Sequence, residues 1–151
     1  MIQRIQSVYL LLVTACAVAG LCMPIGYFHC DGIKEADFYN LWLAMSDGTR
    51  LLTPWALLVL LALVAMCSLA AFFMYKRRML QVRLSVICGL FLVGYYIVFG
   101  VFVYMFKGRL GADFTVNWSS GLPAVALILD YLAFRNIMKD ELLVRSLDRL
   151  R

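Results

Sequence analysis

The run PWALLVLLALVAMCSLAAFFMYKRR at residues 54–78 decides the reading, because 22 uncharged residues are followed at once by three cations. A helix rises 1.5 Å per residue, so such a run covers about 33 Å, enough for a ~30 Å hydrocarbon layer. Thr53 is placed to cap it, with Pro54 as first helical residue, where a missing N–H costs nothing. Lys76, Arg77 and Arg78 then mark the side of the membrane on which cations collect.

Three more stretches pass the same test. Residues 84–106 carry no charge, and residues 8–28 carry none either, with Thr14 the most polar member. Residues 122–138 contain Asp130 and require Arg135 to snorkel towards the interface. The composition agrees: 64% of the 151 residues are hydrophobic and 15% charged, against roughly a quarter charged in soluble domains. A disordered chain, a disulfide-stapled secreted module and a cytosolic enzyme are excluded. The expectation is an all-α membrane protein, a single domain over residues 1–151. It is a bundle of four antiparallel transmembrane helices whose short loops keep sequential neighbours adjacent.

Charge fixes the orientation. Of the 14 Lys and Arg, ten fall at Arg4, in the turn at 76–83, or at and beyond Arg135; the other four are Lys34, Arg50, Lys107 and Arg109. The positive-inside rule places both termini and that turn in the cytoplasm. Tyr27, Trp55, Tyr104 and Trp118 mark the outer boundary and Tyr75 the inner one. The pI near 9.1 therefore reflects orientation and attraction to anionic lipid, and nucleic acid is not an expected partner.

The outer loop at 29–52 mixes charges with Phe38, Tyr39 and Trp42. The second, at 107–121, holds the alternating run Phe114-Thr115-Val116-Asn117-Trp118 between Gly111 and Gly121, which reads as a short strand. A small extracytoplasmic β cap with one strand from each loop is one expectation, and irregular loops on the headgroups are the other.

Chemistry-bearing residues are sparse. The five cysteines, at 16, 22, 30, 67 and 88, include no Cys-x-x-Cys pair; Cys16, Cys67 and Cys88 lie well inside spans, with Cys22 and Cys30 towards the outer face. The single histidine, His29, rules out a bis-histidine haem. Its neighbours Cys30 and Asp31 are ligand types, but adjacent residues do not converge easily on one ion. Val13-Thr14-Ala15-Cys16 has the letters of a lipoprotein box, yet the apolar run continues past Cys16 as a span does. No catalytic, cofactor-binding or metal-binding residue is assigned, no cofactor is implied, and the chain is not expected to be an enzyme. Small residues at Cys16-x-x-x-Gly20, Ala15-x-x-x-Ala19 and Ser85-x-x-x-Gly89 suit close helix packing.

Two features remain. Asp130 is the only acidic residue within a span, so it should face the bundle and find a partner, with Tyr95, Tyr96 and Thr14 as candidates at comparable depth. In the tail at 139–151, Leu143, Leu147 and Leu150 form an i, i+4, i+7 stripe, with Arg145 and Arg149 beside it. That pattern suits the inner membrane surface or a docked partner.

The ends of the chain also carry a resemblance. Arg4-Ile5-Gln6-Ser7-Val8-Tyr9-Leu10 opens the first span, and Lys139-Asp140-Glu141-Leu142-Leu143-Val144-Arg145-Ser146-Leu147-Asp148-Arg149-Leu150-Arg151 closes the chain. With Asp130-Tyr131-Leu132-Ala133-Phe134-Arg135 and the basic turn at 76–84, these resemble a family of small four-span bacterial inner-membrane proteins of unknown function. The resemblance implies this fold and location and a shared cytoplasmic face, and it brings no activity. The leading expectation is a non-enzymatic accessory, scaffold or interaction subunit in contact with the lipid bilayer and with a membrane-protein partner or further copies of itself. The alternative is a small proton-coupled transporter or channel using Asp130.

Overall fold

The computed structural model describes the backbone of residues 2–30, 33–74 and 78–149, with side chains over 7–30, 33–74 and 79–143. Four α-helices are present among the described residues: α1 (Ile2–Cys22), α2 (Trp55–Phe73), α3 (Arg78–Leu110) and α4 (Leu122–Arg149). They form a ring in which each packs on its sequence neighbours and α1 closes onto α4. Side-chain contacts show neighbours running in opposite directions. Thr14 meets Ser68 and Gly20 meets Leu61 across α1 and α2, while Ser85 meets Asp130 and Tyr96 meets Ser120 at the other side of the ring. Three of the helices are long and apolar enough to cross a membrane.

The first expected span, 8–28, runs too far at its C-terminal end. The helix begins at Ile2 and stops at Cys22, because Pro24 biases the residue before it away from helical geometry and supplies no N–H. Pro54, not Thr53, occupies the N-cap of α2, and no side chain caps that end. The third helix overshoots its expected 84–106 in both directions, ending where Gly111 takes the left-handed conformation (φ 61°) and returns its N–H to Lys107 O.

The larger correction concerns the loops. Instead of one strand from each, five antiparallel strands form one sheet in the order β4-β3-β2-β1-β5. Its members are β1 (Gly26–Cys30), β2 (Ile33–Phe38), β3 (Leu43–Met45), β4 (Arg50–Leu51) and β5 (Asp113–Val116). Thus four strands come from the first loop and one from the second. Alternation sends Phe28, Ala36, Phe38 and Leu43 to a buried face, while Tyr27, His29 and Asp37 lie on the other.

That buried face rests on the far part of α3. Tyr96 reaches Ser120 beside the start of α4, yet α3 continues through residues 97–110, about 21 Å further. Phe99 and Phe106 from this overhang meet Phe38 at ring-centroid distances of 6.0 and 5.8 Å, and Phe28 lies 6.2 Å from Phe106. Phe114 of β5 completes the cluster, 4.9 Å from Phe28. The sheet is therefore a lid over one end of the helical ring, propped on the single helix that projects beyond it.

Candidate functional site

Polar side chains inside the helical ring are few, and most of those described join one element to another. Thr14 and Ser68 share a hydrogen bond of 2.8 Å between α1 and α2, and whichever hydroxyl accepts it can donate its own proton to a carbonyl of its helix, Leu10 O for Thr14 or Ala65 O for Ser68. At the sheet end, buried Asn40 donates to Gly20 O at 2.7 Å and accepts from the Tyr95 hydroxyl at 2.9 Å. Gly20 is in the last turn of α1, where carbonyls lack helical partners, so Asn40 caps that helix from outside it. The Tyr96 hydroxyl donates to Ser120 O at 2.8 Å. Asn117 and Ser119 both donate to Pro24 O, tying the exit of α1 to the entry of α4.

Asp130 is 4% exposed and faces the helical interface, but its partner is none of Tyr95, Tyr96 or Thr14. Ser85 Oγ donates to Asp130 Oδ1 at 2.9 Å. The expected match in depth fails because α3 overshoots the ring. Its tyrosines lie near the middle of a long helix but level with the outer ends of the others, whereas Asp130 is eight residues into α4. An antiparallel neighbour at that height is Ser85, not Tyr95. The second carboxylate oxygen, Oδ2, has no hydrogen-bond partner among the described residues. It lies over Gly89, where an added Cβ would stand 3.4 Å from it.

Around this pair a groove of about 260 Å³ runs along the outside of α3 and α4. Ser85, Gly89 and Asp130 form its deeper part. Val86, Leu90 and Val93 form one exposed rim, and Leu127, Tyr131 and Phe134 line the other. Every lining residue is away from the helix ends, so the groove opens sideways at mid-height. The Ser85-x-x-x-Gly89 spacing was legible as a small-residue face; that the face would lie opposite Asp130 was not.

The open face of the sheet offers a different, polar surface. Lys34 pairs with Asp37 at 2.7 Å and stands 5.5 Å from the Tyr27 ring centroid. The Asp37 hydrogen bond pushes the Lys34 ammonium above its ordinary pKa. The His29 ring lies tilted against Tyr27 with centroids 4.9 Å apart, and its buried Nδ1 has no hydrogen-bond partner among the described residues. Among the described residues no three of His, Cys, Asp and Glu converge as a metal site would require; Asp31 lies outside them. In the tail, α4 runs unbroken to Arg149 and Leu143 is exposed. The Leu147, Leu150, Arg145 and Arg149 side chains lie outside the described residues.

Residues 2–150 match a family described as a domain of unknown function (DUF4293), and the chain belongs to that family. No curated protein matches it.

Proposed function

Taking that membership as the premise, we propose that the chain is a non-enzymatic accessory or interaction subunit of the bacterial inner membrane. In this reading four helices cross the bilayer, both termini are cytoplasmic and the sheet lies on the outer side. One observation carries the functional part. The groove that reaches Asp130 opens on the flank of α3 and α4 at mid-height, so it presents a polar group to a neighbour within the bilayer and not to a solute entering from either end. The orientation is supported by Lys34, Arg50, Lys107 and Arg109 lying in the sheet or at the sheet end of α3, whereas Arg4, Arg78, Arg83, Arg135, Lys139, Arg145 and Arg149 lie on helix segments away from it. Exposed Trp55, Tyr104 and Trp118 lie near the sheet end, as an interfacial belt would. The sequence spacing of Leu143, Leu147 and Leu150, with Arg145 and Arg149 between and beside them, supports a cytoplasmic surface for lipid or a partner.

The buried acid favours one rival reading, proton-coupled transport through Asp130. Reconstitution into vesicles containing a pH-sensitive dye separates the two. Under an imposed pH gradient and potential, proton flux should equal that of protein-free vesicles. Flux above that level, abolished by Asp130→Asn, would establish the transporter and overturn the accessory role.

A further inference from the structure

We propose that the α3–α4 groove seats a second copy of this chain, the Tyr131 hydroxyl of each copy donating a hydrogen bond to Asp130 Oδ2 of the other. The inference rests on the membrane reading above and deepens it by naming the occupant.

The argument starts from two unmatched groups. Asp130 is 4% exposed and its Oδ1 is taken by Ser85, which leaves Oδ2 as an acceptor at the groove floor. Tyr131, the next residue, is 60% exposed on the groove wall, and its hydroxyl bonds to none of the described residues. Within hydrocarbon, water is not there to satisfy either group. One group is an acceptor and the other a donor, so two chains can satisfy each other where one chain cannot.

Symmetry supplies the alignment. Copies inserted the same way round hold each residue at the same depth, and a two-fold axis along the membrane normal then brings Tyr131 of one copy opposite Asp130 of the other. Consecutive residues differ by only 1.5 Å in height, within the reach of a tyrosine side chain. The contact is isologous: it forms twice, once on each side of the axis. Ser85 and Gly89 on the floor let the backbones approach closely, as small residues do at membrane helix contacts. Val86, Leu90 and Val93 give the rim an exposed apolar surface to pack. An acyl chain would fill the apolar part of the groove but brings no donor to mid-bilayer, whereas a second copy has one at the required depth.

The test is photo-cross-linking of the full-length chain in its native membranes. Benzoylphenylalanine replaces Leu90, 66% exposed on the groove rim, or Met66, 67% exposed on α2 away from it. Position 90 should give a product of twice the 17.1 kDa chain that contains peptides of this protein alone; position 66 should give none. Tyr131→Phe removes only the exposed hydroxyl, and loss of two interhelical hydrogen bonds should lower the yield about ten-fold. Resistance to alkaline carbonate extraction serves as the check on insertion for every variant. A monomer at position 90, a product containing another protein, or a yield unchanged by Tyr131→Phe overturns the dimer while leaving membrane insertion standing. Release of the unsubstituted chain by carbonate would instead overturn the membrane reading on which the dimer depends.

Discussion

Asn40 shows how much one buried amide can connect. Its NH2 group closes the end of α1 at Gly20 O, and its carbonyl oxygen receives the Tyr95 hydroxyl from α3, so a residue between β2 and β3 holds two helices to the sheet. Removing it strands a carbonyl and a phenol in a dry interior, each at about 1–3 kcal/mol. Asn40→Ala should therefore cost about 2–6 kcal/mol, read as a lowered unfolding midpoint in mild detergent. Asn40→Asp keeps an acceptor for Tyr95 but, ionised, turns a second acceptor towards Gly20 O in a dry site, so at neutral pH it should unfold no later than the Ala variant; equal midpoints for all three would show that the clasp contributes nothing. Asp130 behaves differently. Asp130→Asn retains an acceptor for Ser85 and should leave abundance in the membrane unchanged, whereas Asp130→Leu leaves the Ser85 hydroxyl without its carboxylate and fills the space over Gly89, lowering it. Asp130 was conspicuous in the sequence because an acid in an apolar run is costly. Asn40 was not, since an asparagine among loop residues carries no such contrast.

At the scale of elements, the overhang of α3 and the sheet stabilise each other. A small sheet needs its apolar face covered to be stable, and about the last four turns of α3 extend past the helical ring; the aromatic layer of Phe28, Phe38, Phe99, Phe106 and Phe114 joins them. Phe106→Ala should remove about 3–5 kcal/mol of that contact without touching the Thr14–Ser68 or Ser85–Asp130 contacts. Limited proteolysis should then cut at the exposed 46–49 turn well before the helices are lost, while the parent resists at both places. Simultaneous loss of sheet and helices would show that the two layers unfold together. The sheet was partly legible. Asp31-Gly32 is a strong two-residue hairpin signal, and Cys30 does pair with Ile33 across it. It was obscured because residues 24–28 are apolar enough to extend a span, and hydropathy summed over a window does not register Pro24 as a stop. Gly26 gives the same lesson: a Cβ there would lie 2.7 Å from Thr115 O and run into the Phe114 ring, a requirement set by β5 some 90 residues away.

For the whole molecule, what could be read in advance was what adds up locally. Apolar length and charge runs locate helices residue by residue, and four helices are present where four were expected. Relative height does not add up that way. It depends on how far α3 passes its neighbours, and that follows from the sheet packing against residues 97–110. From this one offset come both the misassigned partner of Asp130 and the position of the tyrosines. The offset also sharpens the topology. The α2 helix, 19 residues long, covers about 28 Å, close to a hydrocarbon layer, and its Trp55 end is the sheet end. If α2 spans the bilayer, the sheet lies wholly on one side, together with Lys34 and Arg50, and the α4 tail lies on the other with Lys139. The four-cation side should be outside. A reporter active only in the cytoplasm should therefore work when fused after Arg151 and fail when inserted at Asp47–Gly48, the tip of the β3–β4 turn, and a reporter active only outside should show the reverse. Agreement of both reporters at both sites would mean that the chain does not cross. A reversed pattern would mean that the overhanging helix, with its Lys107 and Arg109, points into the cytoplasm against the charge bias.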